Sequence, residues 1–377
     1  MGKDVQKMCV GKMKILHVIN SLSTGGAEKL VADLAPLQRD CGNDVEVLLL
    51  RGGESAFRTS LENAKIRVYD FGAGTSVYSP LNVLRLIPFM RKYDVIHVHL
   101  FPAQYWVALA KLLSFSKACL VTTEHSTNNR RRGSLIWKIL DSSVYACYSS
   151  IICCADMAKT SLCRHLGDWK RICFISNGVD TKNVFEAKIS SREDFGICED
   201  VFLMCQVARF VLPKEQEAVV RSLPLLPKNI HAVFIGDGER RQNCERLAEG
   251  LGVRERTHFL GIRSDVSGLL KMSDLVICSS AYEGLSLASV EGLASGMPVV
   301  ASDVPGLAEV VGGAGILFPK GDEKALAEII LKLASDKEFY EKTAAACSRR
   351  AQDYDIRKTA EAYLAVYEGE ESLKIRA

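Results

Sequence analysis

Short runs rich in Val and Ile alternate with helix-period segments along nearly the whole chain. In the first half the apolar runs fall at 14–20, 45–50, 66–69, 95–98, 119–123, 151–154 and 172–175. Helical patterns occupy 27–39, 81–91 and 103–113, and others come after Gly133 and Asp156. The runs are continuously apolar rather than alternating, so each has to be covered on both faces. A parallel sheet with helices on either side meets that demand. Asn177-Gly178-Val179-Asp180 forms a turn signal, and 181–200 is a looser stretch of mixed charge. Strands resume at 202–207, 231–235, 258–260, 275–278, 299–301 and 316–318, with helices at 215–226, 240–251, near Val266 and at 287–295. Helical patterns within 323–334 and 337–352, and a last one at 356–367, complete the chain. The expected architecture is α/β: two doubly wound βα domains at 1–178 and 179–354, followed by a terminal helix within 355–377.

A length of 377 residues suits two domains of ordinary size. The net charge of +3 is too small to argue for a nucleic-acid partner. No apolar run approaches the length of a membrane span. Residues 1–14 carry charges and two glycines rather than an apolar signal core, so a cytoplasmic protein is expected. Thirteen cysteines are many, but their number is odd and no Cys-x-x-Cys occurs. Adjacent Cys153 and Cys154 lie inside an apolar run, and buried free thiols are a better reading than a metal or redox pair.

Ligands of open α/β sheets bind beyond the C-terminal ends of the strands. The loop after each strand therefore carries the functional information. After the 275–278 strand comes Glu283-Gly284-Leu285-Ser286-Leu287, with a helix starting near Ser286 and carrying Glu291. Free backbone N–H groups at a helix start bind anions. A carboxylate on each side of such a site can grip hydroxyls, which suits a ligand with a diphosphate centre and a polyol at either end, as in a nucleotide sugar. Glycoside hydrolysis is a rival use of two carboxylates, but it needs them roughly 5 to 9.5 Å apart. Eight residues of helix rise about 12 Å, which favours two separate tasks. Arg209 and Lys214 come after the first strand of the second domain and offer a planar fork and a point charge to phosphate oxygens. Gly236-Asp237-Gly238 ends another strand and reads as a close-approach turn beside the nucleotide.

In the first domain, Gly25-Gly26-Ala27-Glu28 opens a helix after the first strand, its glycines permitting positive φ. It reads either as a second anion site or as a tight βα turn. His97 and His99 share a strand face, and Glu124-His125 ends another strand. Three histidines can hold zinc, but no carboxylate or thiolate is placed beside them by spacing. A cleft residue bonding a sugar or acceptor hydroxyl is the better reading, with His125 the stronger candidate. His17, His165, His231 and His258 are expected to be structural. Arg130-Arg131-Arg132 reads either as a solvated loop or as a contact to anionic lipid or an acceptor pyrophosphate.

These motifs closely resemble the GT-B glycosyltransferases of family GT4, the large retaining group, over nearly the whole chain. Glu283 and Glu291 match its E-x7-E motif, and Arg209 with Lys214 its R-x4-K phosphate pair, in the form common in bacterial capsule and exopolysaccharide enzymes. Gly25-Gly26-Ala27-Glu28, Glu124-His125 and Asn177-Gly178-Val179-Asp180 also fit family positions. The resemblance implies two Rossmann-like domains facing across a cleft, the first selecting the acceptor and the second the donor. Glu283 and the backbone of Gly284 to Leu287 would hold the donor sugar and distal phosphate, and Glu291 the ribose. Arg209 and Lys214 would take the diphosphate, with Gly236, Gly261 and Ile262 beside the nucleotide. His125 would sit beside the sugar and acceptor, with Gly25, Gly26 and Arg130 toward the acceptor. The terminal helix would pack back on the first domain. The implied reaction moves a sugar from a UDP- or GDP-sugar to a lipid-linked or growing glycan. It needs no metal or other cofactor, and places the enzyme on the inner face of the plasma membrane. Ser286 replaces a common Pro or Gly, Pro305-Gly306 a common Gly-Gly, and Glu215 a frequent Gly. A sugar-nucleotide epimerase and a non-catalytic binding module remain alternatives.

Overall fold

The computed structural model describes residues 12–23, 25–125, 134–167 and 171–369. Two compact units emerge. One runs to Asn177 and resumes at Ile356; the other is Gly178–Asp355.

Among the described residues, the first unit contains seven strands: β1 (Lys14–Ile19), β2 (Asp44–Leu49), β3 (Arg67–Asp70), β4 (Val95–His99), β5 (Cys119–Glu124), β6 (Ser150–Cys153) and β7 (Ile172–Phe174). All pair in parallel, in the order β3-β2-β1-β4-β5-β6-β7. Succession runs outward both ways from the β1/β4 junction, so that junction is the switch point where such sheets open a ligand crevice. On one face Ile15, Ile19, Val121 and Ile152 pack with Leu30, Leu34 and Ala35 of the Gly26–Asp40 helix. Ala360 and Tyr363 of the Ile356–Tyr367 helix complete that core, and the helix is pinned by a Thr359 hydroxyl donating to the Ser176 carbonyl at 3.0 Å.

The second unit holds β8 (Phe202–Val207), β9 (Ile230–Ile235), β10 (Thr257–Gly261), β11 (Leu275–Cys278), β12 (Val299–Ser302) and β13 (Ile316–Phe318). The order β10-β9-β8-β11-β12-β13, again parallel, puts its switch point between β8 and β11. Separate apolar cores cover its two faces, one around Leu203, Val276 and Leu293, the other around Met204, Phe234 and Ile330. Where the chain enters and leaves this unit, Val179 donates its N–H to the Tyr354 carbonyl at 2.9 Å and the Thr181 hydroxyl bonds Asp355.

Several expectations are corrected. The helix read at 81–91 is Asn82–Leu86 followed by one 3-10 turn, and that at 215–226 is Gln216–Ser222 followed by another. Pro88 and Pro224 sit in those turns, where proline removes the N–H that an α-helix needs. The stretch read as loose at 181–200 contains the helix Thr181–Glu186, its first turn capped by the Asp180 carboxylate accepting from the Asn183 N–H at 3.1 Å. Helices Ala56–Asn63 and Pro305–Val311 were not anticipated. Gly25 caps and Gly26 opens the helix, with Gly25 extended at φ 175, so the freedom for left-handed φ that these glycines offer is not used.

Candidate functional site

The loops at the C-terminal edge of the second sheet converge on its switch point. Arg209 and Lys214 lie in the loop after β8, and Glu283 in the loop after β11, on either side of the reversal in strand order. The two loops are joined. Lys214 forms a backbone bridge with Ser280, and its ammonium pairs with the Glu283 carboxylate. Their side chains are only 23% and 14% exposed. The Ser280 hydroxyl donates to the same carboxylate at 3.0 Å. The sequence pointed to separate partners for these two groups, yet they form one unit whose charge is balanced before any ligand arrives. Arg209 is exposed, so its fork is open to solvent.

Gly284, Leu285 and Ser286 lead from Glu283 into the helix Leu287–Ala294, which carries Glu291. Ser286 caps it through an oxygen that accepts from the Ser289 N–H at 3.4 Å. The N–H groups of Leu287 and Ala288 belong to the first turn and have no carbonyl one turn back. The loop is braced from behind by Gly306, where a Cβ would overlap the carbonyl oxygen of Gly284. Gly306 is thus held to glycine by a close backbone contact, while Pro305 stands at the first position of its helix, where proline is well tolerated.

Gly236 comes directly after β9 at φ 132, and a Cβ there would overlap the Ala208 carbonyl. Its N–H donates to the Gly261 carbonyl at 2.8 Å, and the Ala208 N–H to the Ile235 carbonyl at 3.0 Å. The close approach expected at Gly236 is therefore to the neighbouring loop's backbone. Gly261, at φ 69, turns the chain so that Ile262 stands 78% exposed at the same edge.

In the first unit, β1 and β4 pair with His17 opposite His97, and β4 and β5 with His99 opposite Thr123. Paired residues of a parallel sheet share a face, so the histidines of β1 and β4 meet His125, which directly follows β5. His17 bonds His99 at 3.1 Å and Gln38 at 2.7 Å. His99 bonds His125 at 3.3 Å, and His97 bonds Tyr367 at 2.5 Å and Thr123 at 2.8 Å. His17, read from the sequence as structural, is the hub of this array. Burial pulls His17 and His125 down to about 4 and His97 and His99 well below the ordinary histidine value. All four are neutral at pH 7. Ligand nitrogens of His17, His97 and His99 lie within 4.8 Å of one another, a spacing that a metal could use. But all six of their ring nitrogens already have hydrogen-bond partners, so the donor set does not fit a metal as it stands.

Among the other candidates, His165 is a satisfied core residue bonding Asp141 at 2.9 Å, and His231 stacks on His258. Burial pushes the Cys153 thiol up and that of Cys154 up to about 12, and every described cysteine is free. Arg130 and its two neighbours lie outside the described residues.

Residues 187–353 match the family described as "Glycosyl transferases group 1", and residues 24–183 match "Glycosyltransferase Family 4". A lipopolysaccharide core biosynthesis glycosyltransferase of Rhizobium meliloti, LpsD, is 26% identical over 94% of this chain and 98% of its own. A glycosyltransferase of Methanocaldococcus jannaschii, itself uncharacterized, is 30% identical over 58% of this chain and 60% of its own length. The crystal structure of HepE from Anabaena in complex with UDP and glucose superposes with a TM-score of 0.81 at 25% identity, over 95% of this chain and 100% of that one. The chain belongs to the GT4-type glycosyltransferases of the GT-B fold, a family of EC 2.4 transferases.

Proposed function

We propose that the chain transfers a sugar, with retention of configuration, from a UDP- or GDP-sugar to a lipid-linked or growing glycan in capsule, exopolysaccharide or lipopolysaccharide assembly. The observation that carries this reading is the pairing of phosphate-type cations after β8 with the Glu283 loop after β11, at the switch point of one sheet. Arg209, Lys214 and the first-turn N–H groups would hold the diphosphate and stabilise its charge as it leaves, the task a metal performs elsewhere. Glu283 would bond the donor sugar and Glu291 the ribose. The anomeric carbon–oxygen bond to phosphate breaks as the acceptor oxygen bonds the same face, and the departing phosphate takes the acceptor's proton. HepE, described with UDP and with UDP-glucose, supports a nucleotide-sugar donor.

Calorimetry with UDP, GDP and their sugars, then nucleotide release with and without a lipid-linked acceptor, tests the proposal. Acceptor-dependent release is expected; release without acceptor would instead indicate an epimerase. Absence of binding to any of these nucleotides in the wild type would remove the basis for the assignment. No helix among the described residues is long and apolar enough to cross a membrane. The helix Leu135–Tyr145 nevertheless exposes Leu135, Ile136, Ile139 and Leu140 beside Lys138. That face supports peripheral attachment to an anionic cytoplasmic membrane surface.

A further inference from the structure

The histidine array has a direction. Gln38 Oε1 can only accept a hydrogen bond, so His17 must offer its proton from Nε2, at 2.7 Å. A neutral imidazole then keeps Nδ1 bare, and His17 Nδ1 accepts from His99 Nε2 at 3.1 Å. The same step repeats: His99 Nδ1 accepts from His125 Nε2 at 3.3 Å. His125 Nδ1 ends the series, with no partner among the described residues, at the C-terminal edge of β5. Gln38 itself is held in this orientation because its amide N–H donates to the Tyr367 hydroxyl at 3.3 Å. That hydroxyl in turn donates to His97 Nδ1, whose Nε2–H donates to Thr123 Oγ1. Burial keeps each ring neutral, so no extra proton scrambles the order.

We infer that Gln38 and Tyr367 are positioning residues that lock His125 in the Nε2-protonated tautomer, leaving Nδ1 as an obligate acceptor for a hydroxyl of the bound carbohydrate. Selectivity results from this polarity. A ligand presenting a hydroxyl proton at that point is matched, whereas a ligand presenting only an acceptor oxygen, such as a methyl ether or a carboxylate, meets a lone pair. The ligand class rests on the glycosyltransferase reading above; the tautomer does not.

Long-range 1H–15N correlation of the 15N-histidine-labelled full chain reads each tautomer directly. In the wild type, His17, His99 and His125 are expected as the Nε2–H form at pH 7. In Gln38→Met the anchor is lost and His125 is expected as a mixture of both forms. Tyr367→Phe, which frees the Gln38 amide to turn over, should show the same mixture to a smaller degree. The KM for the sugar donor or acceptor should rise about three- to tenfold in Gln38→Met with kcat nearly unchanged, the loss of one oriented hydrogen bond. A wild-type spectrum with His125 protonated at Nδ1, or stoichiometric metal in the purified chain, overturns the array. A His125 signal unmoved by Gln38→Met, or mixed tautomers without a KM change, overturns the positioning role. Because the wild-type spectrum needs no substrate, failure of the array and failure of the glycosyltransferase reading are told apart.

Discussion

Replacing Lys214 by alanine separates two roles that the ion pair with Glu283 combines. The pair lies between the limits of exposed bridges, worth at most about 1 kcal/mol, and buried ones, whose breaking costs about 3–5 kcal/mol. With the side chains 23% and 14% exposed, Lys214→Ala should cost about 2 kcal/mol of stability. Among the described residues, Glu283 would keep only the Ser280 hydroxyl, 3.0 Å away, as partner. Adding Glu283→Gln removes the stranded charge and should recover about half of that loss, because an amide is less costly to leave there than a carboxylate. Turnover should behave oppositely. Loss of a cation from the departing diphosphate should reduce kcat about 10²- to 10³-fold, and the second substitution should not restore it. Urea midpoints and initial rates of nucleotide release for the four members of the cycle measure both. Turnover of Lys214→Ala within about threefold of wild type would refute the role in leaving-group stabilisation. A double variant no more stable than Lys214→Ala would refute the charge argument.

The buried histidines set an acid limit. His17 has its native value near 4 and an unfolded value of 6.5, so only the unfolded chain takes up a proton between those values. Stability is then full above pH 6.5 and falls as pH drops toward 4, by about 3 kcal/mol at pH 4 from His17 alone. Urea midpoints across that range should fall with pH, and a flat profile would contradict the burial of neutral rings. Gly306→Ala should cost more than about 3 kcal/mol or displace the Glu283 loop, visible as lost donor binding in calorimetry, because its methyl meets the Gly284 carbonyl. Ile139→Glu should weaken co-sedimentation with anionic vesicles severalfold while leaving turnover on a soluble acceptor analogue intact.

The fold was legible because its strands are buried on both faces, so runs such as 202–207 and 275–278 announce themselves by composition alone. Pro88 and Pro224 could have warned that their helices would tighten into 3-10 turns. Glu283, Glu291, Arg209 and Lys214 were singled out because the segment after a parallel strand faces the ligand crevice. The Lys214–Glu283 pair was not foreseen. It depends on β8 lying beside β11, three strands later in sequence, and strand order is set by packing rather than by local pattern. The array at His17 was hidden for the same reason. Its signal lay in polar residues on buried faces: His17 within β1, Gln38 in the last turn of its helix, and Tyr363 and Tyr367 one turn apart in the terminal helix. Each has an ordinary explanation alone, and only the register of β1 on β4 on β5 joins them.

The split of the first unit around Gly178–Asp355 has a consequence during synthesis. A ribosome delivers Tyr363 and Tyr367, which fill the space above the histidines, only after every residue of the intervening unit has left the tunnel. The contiguous unit can mature as soon as it emerges, whereas the one begun earlier stays unfinished until the Ile356–Tyr367 helix follows it. Its seven-stranded sheet waits through that interval with an apolar face open, which makes the nascent chain, rather than the finished enzyme, the stage at which chaperones matter most.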